Sequence, residues 1–270
     1  MDWDGKVALV TGASRGVGAA TAVALAAAGA RVGCAARATD DAPLSTPGTI
    51  DSTVRRIVES GGEAIAVPTN LAHDDEVDAM VARVVDEYGG VDVLVNNAAI
   101  TFPGDLDIDL KRFDLVFAVD LRAPLLATRA VTPVMRSRGG GRIVNVSSAA
   151  ALNYIPGLMV YGMAKIALEY LTVSSAGQLR DAGIAVNGFR IDVPVASEGF
   201  VANAPGVDHS TWEPSEVAAE GICWMLRQPA GYTGHNVGMA QLRSEQGIMT
   251  NPQARATGPG MVTENPMRLA

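Results

Sequence analysis

Lys6-Val-Ala-Leu-Val10, running into Thr11-Gly-Ala-Ser-Arg-Gly-Val-Gly18 and then an alanine-rich stretch to Ala28, reads as strand, glycine turn and helix. Gly12 permits a tight turn. Gly16 lets a pyrophosphate approach the backbone, and Gly18 lets the helix pack closely on the sheet, while the first helical amides and the helix dipole face the phosphates. A glycine-rich turn alone is weak evidence. The flanking strand and helix supply the context the motif requires, here with the spacing T-G-x-x-x-G-x-G.

Outward from this unit, strand and helix signals alternate along the whole chain, which favours a doubly wound parallel sheet in one three-layer α/β/α domain. Strands are predicted near Val7–Val10, Arg31–Ala35, Ala64–Val67, Val91–Val95, Arg142–Val146 and Ala185–Phe189. Helices fit Gly16–Ala28, Ile50–Ser60, Asp74–Tyr88, Asp109–Arg138, Tyr161–Asp181 and Pro214–Arg227. The strands are apolar throughout, so both sheet faces should be covered. Residues 1–245 form the expected domain. Residues 246–270, rich in Pro, Gly, Met and polar residues, are expected to be an irregular tail, with no terminal strand motif after Thr233-Gly234.

Tyr161-Gly-Met-Ala-Lys165 carries the chemistry, because a tyrosine and a lysine four apart on a helix share a face. A phenol is a poor acid and base near neutrality; an adjacent ammonium stabilises its phenolate and makes the pair a tunable acid/base. Upstream, Val144-Asn-Val-Ser-Ser148 ends an apolar run in hydroxyls, so Ser148 can sit at a strand's carboxyl end and bond the same substrate oxygen. An isolated Y-x-x-x-K is more often an amphipathic helix with a surface lysine. Lys6, Lys111 and Lys165 are the only lysines in the chain, which makes coincidence less attractive.

At 270 residues, 48% hydrophobic and 19% charged, the chain can bury a full core as one domain. Its net charge of −8 argues against nucleic acid or an anionic membrane as partner. The start, Met1-Asp-Trp-Asp-Gly-Lys6, lacks a basic segment followed by an apolar core, and no apolar run reaches membrane-spanning length, so the expectation is a cytoplasmic protein. Cys34 and Cys223 read as buried packing residues. His73, His209 and His235 lie far apart without ligand spacing, so no metal site is indicated.

These elements, in this order, resemble the short-chain dehydrogenase/reductase family in its single-domain, Rossmann-like form, over roughly nine-tenths of the chain. The resemblance rests on Thr11 to Gly18, Asn70-Leu71, Asn96-Asn97-Ala98-Ala99, Ser148, Tyr161 and Lys165. It implies an oxidoreductase interconverting a carbonyl and a secondary alcohol, with Tyr161 as proton donor or acceptor and Ser148, rather than Ser147, orienting the substrate oxygen. Lys165 would hold the nicotinamide ribose while lowering the Tyr161 pKa. Gly12, Ser14, Arg15, Gly16, Val17, Gly18, Arg37, Asn70, Leu71, Asn97, Ala98, Ile191 and Ser197 would contact the cofactor. A tetramer or dimer built on the helices at Asp109–Arg138 and Tyr161–Asp181 is implied as well.

Several positions depart from the family's pattern. Asp120 stands where an asparagine is usual; its carboxylate would stabilise the Lys165 ammonium, partly cancel its pull on Tyr161 and raise the apparent pKa for alcohol oxidation. Asn70 replaces the usual aspartate beside the adenine, and its amide oxygen can still accept that hydrogen bond. Ala99 replaces a glycine. The Pro-Gly after the sixth strand is missing from Asn187-Gly-Phe-Arg-Ile-Asp-Val-Pro-Val-Ala-Ser197. The second strand ends Ala35-Ala36-Arg37 without an acid; with Arg15 in the turn, two guanidiniums suit a 2′-phosphate, so NADP(H) is preferred and NAD(H) stays possible through Asp40 or Asp41. The segment Ala38–Gly48 is an insertion, either a cover for the adenosine end or a surface loop. Leu152, Tyr154, Leu158, Phe200 and Trp212 would line an apolar substrate mouth, although Trp212 could instead staple a helix start. A catalytically idle cofactor-binding regulator is the alternative of a different class, and a sugar epimerase or dehydratase fits less well.

Overall fold

The computed structural model describes residues 3–203 and 206–250. Seven parallel strands form one sheet in the order β3-β2-β1-β4-β5-β6-β7: β1 Val7–Thr11, β2 Arg31–Ala36, β3 Glu63–Pro68, β4 Val93–Asn96, β5 Gly141–Ser148, β6 Ile184–Ile191 and β7 Asn236–Gly238. The helices among the described residues are α1 Gly16–Ala27, α2 Ile50–Glu59, α3 Asp74–Tyr88, α4 Leu110–Phe117, α5 Ala123–Ser137, α6 Met159–Leu179, α7 Glu198–Asn203, α8 Ser215–Arg227 and α9 Met239–Gln246.

The sheet is doubly wound because its inner strands are apolar on both faces. Val7, Leu9 and Leu94 pack with α3, α5 and α6 side chains, whereas Ala8, Val10 and Val95 pack on the α1, α2 and α8 side. Parallel strands need such crossovers, and burial of both faces is what the helices provide. The strand order reverses between β1 and β4, so the loops after these strands diverge and leave a crevice at their carboxyl ends. No helix among the described residues is long and apolar enough to cross a membrane.

Two expectations need correction. The helix predicted over Asp109–Arg138 is interrupted by a wide π turn, Ala118–Arg122, which joins α4 to α5 and turns Asp120 fully inward. A terminal strand does exist: β7 pairs with β6 through Gly188↔Asn236, Phe189↔Val237 and Arg190↔Gly238. Three residues are too few to show a period of two, which is why its sequence does not announce it. Of the expected tail, Gln246 closes α9 and Met249 is buried in the core beside Leu242; residues 251–270 lie outside the described residues.

Candidate active site

The glycine turn is built as its spacing demands. Gly12 and Gly16 have φ of +67° and +56°, a left-handed region that disfavours side chains. A Cβ on Gly18 would overlap the Gly12 carbonyl, so α1 can approach the turn only with glycine there. The Thr11 hydroxyl accepts the Asn97 and Ala98 amides at 3.1 Å each, and Asn97 Nδ2 donates to the Thr11 carbonyl at 2.9 Å. Asn97 therefore buttresses the turn across the β1/β4 crevice. The start of α1 has neither a side-chain cap nor an acid in its first turn, leaving its amides for an incoming anion.

A cavity of about 380 Å³ opens from this turn across the strand ends. Ser14, Arg15, Gly16, Val17, Arg37, Asn70, Leu71, Ala98, Ser148, Tyr161, Lys165, Ile191 and Ser197 all border it, together with Gly12 and Asn97. Gly18 does not; it serves the packing beneath. Asp120 also lies outside, behind Lys165.

At one end of the cavity Arg37 is exposed and makes no side-chain hydrogen bond or ion pair among the described residues. Arg15 is differently occupied: its Nε donates to the Pro47 carbonyl at 2.8 Å and Nη2 to that of Gly48 at 2.9 Å. Burial is the main reason its pKa falls; Glu198 opposes the shift and Arg37 adds to it. The insertion is thus clamped onto the glycine turn, and Leu44 from it borders the cavity. Asp40 is spent on Thr49 and Arg55, whose hydrogen bonds hold its carboxyl below the usual range. The Asn70 side-chain oxygen accepts the Ala72 amide at 3.2 Å, and a carbonyl keeps a second lone pair for another donor.

At the other end α6 delivers Tyr161 and Lys165 from one face. Lys165 is 1% exposed, donates to the Val146 carbonyl at 3.1 Å and lies 5.4 Å from the Tyr161 ring centre. Asp120 Oδ2 stands 3.6 Å from Lys165 Nζ, an ion-pair distance too long for a hydrogen bond, while Oδ1 accepts the Ile100 amide at 2.9 Å. Burial pushes the Asp120 carboxyl up to about 6 despite Lys165 and the Ile100 amide. The Tyr161 hydroxyl is raised, not lowered. Burial is the largest cause; Lys165 pulls it down, Asp120 pushes it up and Ser148 pulls it down. Sequence spacing reveals the ammonium but not the desolvation that accompanies it. Ser148 ends β5 with its hydroxyl near the Ala150 amide, 3.3 Å away, whereas the Ser147 hydroxyl donates to buried Glu169 at 2.7 Å. Ser147 borders the same cavity, but its hydroxyl is committed to Glu169.

The segment after β6 holds what sequence reasoning missed. Asp192, at the position left without Pro-Gly, accepts the Ala240 amide at 3.0 Å and so caps α9; burial is the main cause of its raised pKa. An uncapped helix start just beyond a short strand is the only available signal, and neither element is evident from the sequence. Ser197 packs on Gly16, its Cβ 2.8 Å from where a Gly16 Cβ would stand. Phe200 borders the cavity, but Trp212 does not. It packs against Phe200, ring centres 5.1 Å apart and planes tilted by 36°, and borders a second, polar cavity on the outer side of the glycine turn.

The chain is similar in sequence and fold to known proteins. The family model described as short chain dehydrogenase matches residues 6–193. A 3-oxoacyl-[acyl-carrier-protein] reductase of Synechocystis sp. is 39% identical over 198 residues, covering 73% of this chain and 74% of the relative. Among solved structures, a short chain dehydrogenase from Burkholderia cenocepacia J2315 in complex with NADP superposes with a TM-score of 0.77 at 30% identity, covering 88% of this chain and 97% of that one. A metagenomic short-chain oxidoreductase in complex with NADP does so with a TM-score of 0.73 at 30% identity, covering 88% and 99%. With the doubly wound sheet, the glycine turn and the matched span together, the chain belongs to the short-chain dehydrogenase/reductase family and is an NAD(P)-dependent oxidoreductase.

Proposed function

We propose that this protein interconverts a neutral, apolar carbonyl compound and its secondary alcohol with NADP(H). The observation that carries the reading is that Ser148, Tyr161 and Lys165 border one cavity with the glycine turn. Bound NADP(H) supplies or takes up the hydride at the substrate carbon. Tyr161 gives or receives the proton at the substrate oxygen, Ser148 orients that oxygen, and Lys165 holds the nicotinamide ribose and favours the phenolate. Asp120 acts through Lys165 as a positioning residue. Gly12, Gly16 and the first amides of α1 receive the pyrophosphate, with Gly18 and Asn97 keeping the turn in shape; Asn70 and Leu71 border the adenine, and Ile191 the nicotinamide. Arg37, unpaired beside a second strand that lacks an acid, suits a 2′-phosphate, and Asp40, held by Thr49 and Arg55, is not free to grip a ribose 2′-hydroxyl. Both solved relatives that carry NADP support the same choice.

Ile100, Ile155, Leu158 and Phe200 wall the reaction end. The charged groups there, Lys165 and Asp192, already face Asp120 and the start of α9, so an anionic substrate group would lack a counter-charge. A homo-oligomer fits the exposed apolar side chains Leu125 on α5 and Tyr170 and Val173 on α6, and light scattering on the purified chain would read its size.

A panel of ketones and alcohols, assayed with NADPH, NADH and their oxidised forms, tests the reading. Tyr161→Phe should lower kcat by about 10²- to 10⁴-fold. Arg37→Ala should weaken NADPH binding by about 10-fold or more and leave NADH unchanged. Arg15→Ala should weaken both alike, because it seats the loop. Turnover surviving in Tyr161→Phe would remove the proton role, and equal losses for the two cofactors in Arg37→Ala would remove the phosphate assignment.

A further inference from the structure

Glu169 stands one turn beyond Lys165 on α6, is 5% exposed, and has no part in the proton chemistry above. Its carboxylate accepts three hydrogen bonds: from the Ser147 hydroxyl to Oε1 at 2.7 Å, from Arg190 Nε to Oε1 at 2.8 Å and from Arg190 Nη2 to Oε2 at 2.6 Å. Its main-chain carbonyl accepts Asn236 Nδ2 at 3.1 Å. Strands β5 and β6 meet helix α6 at this side chain, and β7 joins them at the same residue through its main chain.

The strand register gives this junction its meaning. Ser147 and Arg190 are partners in the β5/β6 ladder, and the next pair along, Ser148 and Ile191, both border the cavity, which Ser147 also touches and Arg190 does not. The junction sits one residue behind them on both strands. On the helix, Tyr161, Lys165 and Glu169 follow at intervals of four and share a face. We propose that Ser147, Glu169 and Arg190 form a brace that fixes the position of Ser148 relative to Tyr161, making them positioning residues for the reaction. The inference rests on the roles proposed for Ser148 and Tyr161. A forked guanidinium on a carboxylate sets an angle as well as a distance, and arginine keeps its charge at any working pH.

A buried pair could serve stability alone, and the two roles separate under substitution. A well-packed apolar pair in place of a buried ion pair often preserves stability but carries no hydrogen-bond angle. The paired variant Glu169→Leu/Arg190→Met and the milder Ser147→Ala are compared with wild type using NADPH and a neutral ketone, acetophenone first. Melting temperature, kcat, KM, the pH limb of turnover and amide exchange at residues 148–150 are recorded. The expected result is a folded paired variant with near-native melting temperature and kcat lower by about 10- to 100-fold, since small misplacements of reacting groups are that damaging. The KM for NADPH stays within about twofold, the pH limb moves to higher pH as Ser148 drifts from Tyr161, and Ser147→Thr restores most of what Ser147→Ala loses. Faster exchange at 148–150 accompanies the loss. Unchanged kcat, pH limb and exchange in either variant overturns the brace; should the paired variant not fold, Ser147→Ala decides. A wild type without Tyr161-dependent turnover sinks the oxidoreductase mechanism instead. Exchange at 148–150 then decides the brace by itself, faster exchange in the variants supporting it and unchanged exchange overturning it.

Discussion

Helix α6 carries two buried charges one turn apart, and they are held in opposite ways. Glu169 meets Arg190 through two short hydrogen bonds, with Ser147 completing its shell. Lys165 meets Asp120 at 3.6 Å, and Asp120 Oδ2 is buried without a hydrogen-bond partner. In the first pair the forked guanidinium satisfies both carboxylate oxygens. In the second, burial pushes the Asp120 carboxyl up to about 6, against the pull of Lys165. The lesson is one of division: the tight pair is fixed in angle by its hydrogen bonds, and the loose pair, beside Tyr161, is left adjustable in charge.

The largest effect should come from leaving Arg190 alone. Glu169→Ala should cost about 3–5 kcal/mol near neutral pH, since it leaves a buried charge unpaired; a denaturant midpoint that barely moves would erase the distinction. Lys165→Met should abolish turnover, yet its stability loss should shrink as the pH falls, because the abandoned Asp120 carboxyl takes a proton. Unfolding curves for this variant at pH 5 and pH 8 make the comparison, and a pH-independent loss would mean that Asp120 stays charged.

Asp120→Asn should be milder. In the folded protein the Asp120 pKa is raised from 3.8 to about 6, so its contribution to stability is fully present below the unfolded value and is lost as pH rises through 6. The asparagine variant should flatten the stability profile across that window and shift the alcohol-oxidation limb to lower pH, because Lys165 then acts on Tyr161 unopposed. Coincident profiles would take Asp120 out of the mechanism. The smallest effect belongs to an exposed pair of similar chemistry, Arg83 and Glu87 at 3.1 Å on α3. Arg83→Ala should cost only about 0.3–0.5 kcal/mol, which a thermal melt resolves and added salt should erase.

Short-range spacing makes the fold and the centre of the site legible. The glycine turn, the apolar strands and Tyr161-x-x-x-Lys165 are patterns within one element or its neighbour, and they stand where the sequence puts them. What escapes is long-range partnership. Nothing around Arg15 announces that Pro47 and Gly48 claim its donors, and nothing around Asp192 announces a helix start 48 residues on at Ala240. The acidity of Tyr161 is misjudged from sequence for a related reason: a neighbouring lysine can be read from spacing, whereas desolvation depends on everything packed above it. Order along the chain assigns Trp212 to the substrate mouth, and the fold turns it to the other side of the glycine turn.

The π turn at Ala118–Arg122 has a consequence for any attempt to shorten or redesign this helix pair. A wide turn inserts a residue without adding a full step, so everything downstream is rotated by about 100° in azimuth relative to an unbroken rod. Forcing a regular α-helix through these five residues with none removed would swing the buried Ala127, Val131 and Met135 stripe out of phase with the sheet and carry Asp120 off Lys165 in the same motion. The packing of α5 and the Asp120–Lys165 pair are geared to a single irregularity, and neither can be retuned while the other is left alone.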